Sequence, residues 1–347
     1  MTSTSAPAGP VAGRPAPYRS PEELVAAAVD DRSPRAVARL VSLVEDRSPW
    51  LREISRLLAP RTGRAEVVGI TGAPGVGKST STSALVAAFR AGGRRVGVLA
   101  VDPSSPYTGG ALLGDRVRMT AHTTDPDVYI RSLATRGHLG GLSWATPQAL
   151  RVLDAAGYDV VIVETVGVGQ AEVDIASLAD TTVVLLAPGM GDGIQAAKAG
   201  ILEIADVLVV NKADRPGADE TYRDLRNMVS LSGLGRAGAD AGGDAGGWVP
   251  RVVRTVAADG TGIAEVAEAV AAHRGWLTAT GELGRRRERR AADEIEQIAL
   301  GALRARFGDP RGSRHLGALA GRVVAGELDP WRAADDLLAA LTGGAGP

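Results

Sequence analysis

The glycine-rich segment at residues 72–80 has the residue types and spacing that phosphate binding requires. It matches the pattern G-x-x-x-x-G-K-[ST], follows a short apolar run and precedes a helix-like segment. In such a loop, backbone N–H groups surround the phosphates, Lys78 reaches the β and γ oxygens, and Ser79 ligates Mg²⁺. We therefore predict Lys78 as a catalytic cation and Ser79 as a metal ligand. The predicted nucleotide contacts are Gly72, Ala73, Pro74, Gly75, Val76, Gly77, Lys78, Ser79 and Thr80.

A second motif, Asn211-Lys212-Ala213-Asp214, follows the apolar run at 207–210. The carboxyl ends of parallel strands form the ligand side of an α/β sheet, which places this motif beside the nucleotide. Asp214 can accept two hydrogen bonds from the guanine N1–H and exocyclic amine, whereas adenine offers no matching donors. Asn211 would brace the loop, and the aliphatic stem of Lys212 would lie along the base. We therefore predict that the nucleotide is GTP or GDP.

Acidic residues follow two further apolar runs and one loop. A valine-rich run ends in Glu164, and Gly167 follows where P-loop proteins place a glycine whose N–H senses the γ-phosphate. Asp102 also ends such a run, and Asp115 follows a glycine-bearing loop. We predict metal-linked roles for these three acids, with Asp102 and Glu164 also in the catalytic set. Spacing alone leaves Asp102 open as a strand-end turn former and Asp115 as a helix N-cap.

Lysine is rare in this chain, although arginine is plentiful. It occurs at Lys78, Lys198 and Lys212. A coding bias that replaces lysine by arginine wherever charge alone suffices would leave lysine where a guanidinium cannot perform the chemistry. Lys198 follows a glycine-rich loop after the apolar run at 182–186, at the ligand edge of the predicted sheet. We include Lys198 in the predicted catalytic set and predict that it pairs with an acid such as Asp102 or Glu164 in one nucleotide state. The alternative is an exposed helical lysine without a role.

Composition excludes several classes of function. The chain has 347 residues, a formal net charge of -1 and no cysteine, and its four histidines are scattered, so we expect no disulfide and no zinc or nickel cluster. No apolar run reaches the roughly 18 residues of a spanning helix, and no global field draws the chain to nucleic acid or membranes. We expect a cytoplasmic protein with a disordered tail at 1–20.

Apolar periodicity predicts an α/β fold with a mostly parallel P-loop NTPase sheet covered by helices on both faces. Helical spacing indicates helices at 21–30 and 34–45, and later at 285–302 and 330–341. The predicted domains are the tail, an N-terminal helical appendage at 21–61, a G domain at 62–278 and a C-terminal helical segment at 279–347, with a flexible loop at 232–247. Strands are predicted at 67–71, 96–101, 128–131, 160–163, 182–186, 207–210 and 252–255.

With these residues assembled, the chain resembles the methylmalonyl-CoA mutase-associated GTPases of MeaB type, also labelled ArgK or LAO/AO transport ATPases. The resemblance runs from about residue 21 to residue 341. The segments that carry it are TGAPGVGKST (71–80), VDPSSPYTGGALLGDRVRM (101–119), RGHLGGLS (136–143), VETVGVGQAEVDIASLAD (163–180), APGMGDGIQAAKAGILEIAD (187–206) and NKAD (211–214).

The resemblance implies a SIMIBI-class G domain and a homodimer built partly by the C-terminal helices. It also implies a chaperone role for an adenosylcobalamin-dependent acyl-CoA mutase, in which the GTPase gates cofactor loading and protects the mutase. By motif position, the resemblance implies metal-linked roles for Asp102, Asp115 and Glu164. It also implies that residues 189–198 form a switch that reports the nucleotide state to the mutase. Many GTPases have a Ser-Ala pair that contacts the guanine O6, usually through a backbone N–H. Val256 and Ala257 occupy that position here, so the resemblance implies that they contact the base.

Two other functions compete with this interpretation. A metal-insertion GTPase of the nickel type has a similar core, but it needs Cys or His ligands that this chain does not cluster. A kinase of a transport protein would use ATP, and Asp214 disfavours adenine.

Overall fold

The structure is a computed structural model that describes residues 18–102, 119–122, 124–134, 144–165, 171–189, 203–231, 247–307 and 314–343. The chain divides into two compact units, Met1–Arg286 and Arg287–Pro347. The predicted tail before residue 18 and the predicted loop up to residue 246 lie outside the described residues. The predicted domain boundaries at 20/21, 61/62 and 278/279 stay predictions.

A parallel sheet of seven strands forms the centre of the first unit in the described part of the chain. Its order is β3-β2-β4-β1-β5-β6-β7, and every strand pair is parallel. Strands β1, β4, β5 and β6 are buried along their whole length, which their runs of apolar and β-branched residues require. The predicted fold class is confirmed. The strands are β1 Glu66–Gly72, β2 Val96–Asp102, β3 Val128–Ala134, β4 Val160–Thr165, β5 Thr181–Leu186, β6 Val207–Asn211 and β7 Arg251–Thr255.

Helices cover both faces of this sheet because alternate strand residues point to opposite sides. On one face, Val68 and Ile70 of β1 pack with the helices Lys78–Ala91 (α4) and Ile263–Ala279 (α8). Val67 of the same strand packs on the other face, in the core that includes the N-terminal helices. Among the described residues, the other helices between the strands are α5 Ala145–Ala155, α6 Ala171–Leu178 and α7 Ala218–Leu231.

Three helices precede the sheet: α1 Pro21–Val29, α2 Pro34–Glu45 and α3 Leu51–Leu58. The first two begin at Ser-Pro pairs, where a serine hydroxyl accepts a hydrogen bond from the first turn and proline occupies the first helical position. Both of these helices are confirmed. We did not predict α3, which has no side-chain cap at its N-terminus.

The second unit is helical throughout residues 287–307, and helices also occupy most of residues 314–343. Helix α9, Glu282–Phe307, begins in the first unit and continues into the second, where α10, Arg314–Val324, and α11, Pro330–Gly343, follow. The helical patterns at 285–302 and 330–341 are therefore confirmed, whereas α10 was not predicted. No helix within the described ranges is long and apolar enough to span a bilayer.

A buried polar cluster lies at the amino ends of β5 and β6. The Asp206 carboxylate accepts hydrogen bonds from Thr182 N at 2.8 Å and from two guanidinium nitrogens of Arg286 at 2.9 Å. The ring of His273 is fully buried, with Nδ1 2.9 Å from Thr181 Oγ1 and Nε2 3.2 Å from Asp206 Oδ1. Burial lowers the pKa of His273 to about 4, because Asp206 is already paired with Arg286 and its attraction only partly offsets desolvation. The imidazole is therefore neutral in the folded protein near pH 7.

The lowered pKa of His273 makes stability depend on pH. Between pH 6.5 and 4 the unfolded chain takes up a proton that the folded chain does not, so the free energy of unfolding should fall as pH falls, by up to about 3 kcal/mol. Urea unfolding at pH 7.5, 6 and 5 measures this loss. His273→Gln should remove this part of the pH dependence, whereas His315→Gln, at an exposed histidine, should retain it. Equal pH slopes for His273→Gln and the wild type would contradict the assignment.

Candidate nucleotide-binding site

The predicted phosphate loop connects the end of β1 to the start of α4. Gly72, Gly75 and Gly77 have φ values of 141°, 79° and 97°, which side chains other than glycine rarely adopt. A Cβ on Gly72 would lie 2.3 Å from the Leu185 carbonyl oxygen, and one on Gly77 would lie 2.5 Å from Asn211 Nδ2. Two of these glycines therefore allow close contact with neighbouring strands as well as the turn itself.

Lys78 and Ser79 begin helix α4 and are both buried. Lys78 Nζ donates to the carbonyl oxygens of Gly72 at 2.7 Å and Ala73 at 3.1 Å. Its ammonium group is therefore held inside the curve of the loop, where phosphates bind in proteins with this motif.

Glu164 comes to the same place because β4 is the direct neighbour of β1, with Glu164 opposite Ile70. Ser79 Oγ donates to Glu164 Oε1 at 2.7 Å, and the Glu164 side chain is buried. One residue further on, Thr165 Oγ1 donates to Thr71 Oγ1 at 3.2 Å. The end of β4 is thus joined by one side-chain hydrogen bond to the end of β1 and by another to the start of α4. The sequence pattern selected Glu164 but not the threonine pair.

Asn211 joins the predicted guanine loop to the phosphate loop. Its Nδ2 donates to the Val76 carbonyl oxygen at 2.8 Å. Its Oδ1 accepts from Thr255 Oγ1 and from Ala257 N, both at 3.1 Å. One buried amide therefore holds three loops together. Sequence reasoning missed Thr255, although its position at the end of the last apolar run marks it as facing the same edge of the sheet.

Lys212 makes a second connection between the two loops. Its Nζ donates to the Gly75 carbonyl oxygen at 2.6 Å, so its aliphatic stem spans the distance from the end of β6 to the phosphate loop. Its backbone has a left-handed φ of 56°, which turns the chain sharply after Asn211. Asp214, two residues further on, is exposed at the carboxyl edge of the sheet.

Both N–H groups that we expect near the guanine O6 are used within the protein. Ala257 N donates to Asn211 Oδ1, and Val256 N donates to the Thr261 carbonyl oxygen at 3.0 Å. A hydrogen bond from this loop to guanine O6 therefore requires Ala257 to release Asn211, or requires the next N–H along the chain.

The structure does not place every predicted site residue. The backbone of Asp102 ends β2 at the same edge as Glu164, since Ala100 lies opposite Glu164 in the sheet. Its side chain lies outside the described part of the structure, as do Asp115, Gly167 and Lys198 as whole residues. Among the residues that are described, no group of three or more His, Cys, Asp or Glu side chains is arranged to hold a metal ion.

The parallel sheet, the phosphate loop and the loop ending in Asp214 together define a P-loop protein of the guanine-nucleotide-binding class. Comparison with known proteins narrows this class. The family described as methylmalonyl Co-A mutase-associated GTPase MeaB matches residues 37–310, and the chain belongs to this family. It is therefore a GTPase.

Relatives and solved structures agree with this assignment. A relative from Pyrococcus abyssi that is named as a GTPase is 48% identical over 310 residues, which cover 89% of this chain and 94% of the relative. The mouse protein named methylmalonic aciduria type A homolog, mitochondrial, is 34% identical and covers 88% of this chain and 76% of its own length. A crystal structure of an LAO/AO transport system kinase has a TM-score of 0.67 at 26% identity, covering 93% of this chain and 97% of that one.

If Asp214 reads the base, Asp214→Asn should weaken GDP and GTP binding by a factor of about 100 or more, because two hydrogen bonds to a carboxylate are lost. The variant should gain affinity for xanthosine nucleotides, whose C2 carbonyl can accept from the new amide. Calorimetric titration with both nucleotides measures the change. Asp219→Asn is the control, since this carboxylate pairs with Arg254 Nη1 at 2.6 Å. Unchanged GDP affinity in Asp214→Asn would refute the role.

Proposed function

We propose that this GTPase requires Mg²⁺ and acts as a chaperone of an adenosylcobalamin-dependent acyl-CoA mutase of the methylmalonyl-CoA mutase type. In this role it gates cofactor loading and protects the mutase from inactivation. The observation that carries the proposal is the family match over residues 37–310, whose description names association with that mutase. The name of the mouse relative, which refers to methylmalonic aciduria, supports the same metabolic context.

The side-chain oxygen atoms beside the phosphate loop support the proposed requirement for Mg²⁺. Ser79 Oγ and Glu164 Oε1 lie 2.7 Å apart in a buried position at the start of α4. Mg²⁺ prefers oxygen ligands and in nucleotide sites is held by one or two protein groups together with phosphate oxygens and water. We propose that Ser79 holds the ion and that Glu164 orients Ser79, with Asp102 and Asp115 as further metal-linked acids. When bound, the ion would neutralise charge on the β- and γ-phosphates.

Lys78 has the complementary role in this proposal. Its ammonium group is buried and donates to two carbonyl oxygens of the loop, so the loop itself fixes its position. An ammonium group has three donors and can exchange carbonyl oxygens for phosphate oxygens with little movement of its stem. Such a preorganised cation stabilises the charge that develops on a phosphoryl group during transfer.

If Glu164 acts through the metal, Glu164→Gln should raise the Mg²⁺ concentration for half-maximal GTP hydrolysis about 10- to 100-fold, because it removes a charge while retaining an acceptor for Ser79. Binding of GDP without Mg²⁺ should change only slightly. Hydrolysis rates measured across a Mg²⁺ titration test both points. The matched control is Glu66→Gln, at a buried glutamate of β1 that pairs with Arg94 Nη2 at 2.8 Å. A wild-type Mg²⁺ dependence in Glu164→Gln would exclude the metal-linked role.

The mutase partnership is tested by retention on the immobilised GTPase. Purified methylmalonyl-CoA mutase and isobutyryl-CoA mutase should each be offered to the GTPase with GDP or with a non-hydrolysable GTP analogue. We expect at least one of them to bind, with an affinity that differs between the two nucleotide states. The Asp214→Asn variant provides a control, since its mutase binding should respond to xanthosine nucleotides and no longer to GTP. Failure to retain either mutase in any nucleotide state would exclude the proposed partnership.

Signalling between the nucleotide and the mutase is proposed to pass through the loop at 189–198. Pro188 and Gly189 follow β5 at the ligand edge, and Gly189 has a left-handed φ of 80°. Lys198 is the proposed switch cation of this segment. Its pairing with an acid in one nucleotide state stays a prediction.

We also propose that the protein is a homodimer that associates partly through its C-terminal helices. Helix α9 exposes large apolar side chains in the second unit: Ile295 is 68% exposed, Ile298 50% and Leu303 48%. Ile298 and Leu303 lie three and eight residues after Ile295, which places all three along one side of a helix. Exposed apolar stripes of this kind favour association. Light scattering of the purified chain measures its molar mass, and the mass of a single chain at micromolar concentration would exclude the dimer.

A further inference from the structure

A groove of about 580 Å³ lies between helix α4, the short turn at 120–122 and the segment after β7. Its walls are mostly alanine side chains, among them Ala84, Ala88, Ala257 and Ala258. Because alanine side chains are small, a ligand in the groove can approach the protein backbone closely. The groove belongs to the first compact unit and is lined by none of the predicted phosphate-loop residues except the last, Thr80.

Two residues that line the groove adjoin the predicted nucleotide site. Thr80 directly follows the predicted metal ligand Ser79 on α4. Ala257 belongs to the loop that Asn211 ties to the guanine motif. A nucleotide has its phosphates, ribose and base in that order. If the phosphates occupy the loop before Thr80 and the base lies between Asp214 and Ala257, the ribose lies at the mouth of the groove.

The groove presents two polar side chains besides Thr80, and they contact each other. His122 Nε2 lies 3.1 Å from Ser83 Oγ and 3.0 Å from the Ser83 carbonyl oxygen. His122 N donates to the Met119 carbonyl oxygen, which anchors the turn. Within the described part of the chain, the other ring nitrogen of His122, Nδ1, has no hydrogen-bond partner. Both side chains are partly exposed and so are open to a ligand.

We propose that His122 and Ser83 bind the ribose hydroxyl groups of the guanine nucleotide and select ribonucleotides over deoxyribonucleotides. A neutral imidazole offers one donor and one acceptor, and a serine hydroxyl offers both, which matches the mixed donor and acceptor character of a sugar diol. The alanine walls then contact the carbon face of the sugar. The proposal rests on the phosphate position given under Proposed function and on the base position assigned to Asp214, and extends them to the sugar.

The test compares GDP with 2′-deoxy-GDP and 3′-deoxy-GDP by calorimetric titration of the full-length protein. For the wild type, removal of the contacted hydroxyl should weaken binding about 3- to 10-fold, the range of one neutral hydrogen bond. His122→Ala should weaken GDP binding by a similar factor and should no longer distinguish GDP from that deoxynucleotide. Ser83→Ala should reduce the discrimination in the same way. His122→Gln, which can still hydrogen bond, should retain part of it, and His315→Ala, at an exposed histidine of the second unit, should retain all of it.

The possible failures can be told apart. If His122→Ala and Ser83→Ala both discriminate as the wild type does, while Asp214→Asn still loses GDP, the base position is supported and the ribose proposal is overturned. The same conclusion follows if the wild type binds GDP and both deoxynucleotides equally. If Asp214→Asn binds GDP as well as the wild type, the nucleotide position itself is wrong, and the ribose proposal is wrong with it.

Discussion

The hydrogen bonds of the Asn211 amide are the interaction on which the rest of the site depends. The side chain is buried, so its donors and acceptor must be satisfied within the protein. It meets that requirement by bonding the Val76 carbonyl on one side and Thr255 and Ala257 on the other. The phosphate loop, the guanine loop and the loop after β7 therefore cannot move independently without leaving a buried polar group unpaired. Leaving a buried polar group unpaired costs on the order of 1–3 kcal/mol, which is enough to keep the three loops in a fixed arrangement.

Strand order explains why these loops meet. All seven described strands are parallel, so their carboxyl ends lie at one edge, and the order β3-β2-β4-β1-β5-β6-β7 puts β1 at the centre with β4 beside it. Glu164 reaches Ser79 because its strand is the immediate neighbour of β1. Asn211 must reach across β5, and it can do so because Gly77 has no side chain to block it. The site therefore requires glycine at position 77 as well as the amide of Asn211.

Carboxylates at the opposite edge of the same sheet have a different role. Asp206 and Asp180 lie at the amino ends of β6 and β5 and pair with Arg286 and Arg274. Burial keeps His273 neutral, and Asp206, 3.2 Å from the imidazole, only partly offsets this effect because a guanidinium already engages its carboxylate. The Asp206–Arg286 pair connects the start of α9 to the sheet, and the Asp180–Arg274 pair connects α8 to it. Residue type alone therefore does not distinguish an acid that binds a ligand from one that stabilises the fold. In this sheet the two kinds of acid lie at opposite ends of the strands.

The sequence by itself determined the class of fold, the phosphate and guanine motifs and the place of Glu164. These features depend on local chemistry: glycine is needed where φ is positive, apolar runs are needed where both faces of a strand are buried, and each motif has fixed spacing. Only the tertiary structure decided which residues support the motifs. Thr255, the Thr71–Thr165 pair and His122 are distant in sequence from the groups they contact, and no local pattern marks the contacts. Helices α3 and α10 were also not predicted, and α3 has no side-chain cap that would mark its start. The use of the Ala257 N–H by Asn211 is a contact across 46 residues of sequence, which only the folded sheet can bring about.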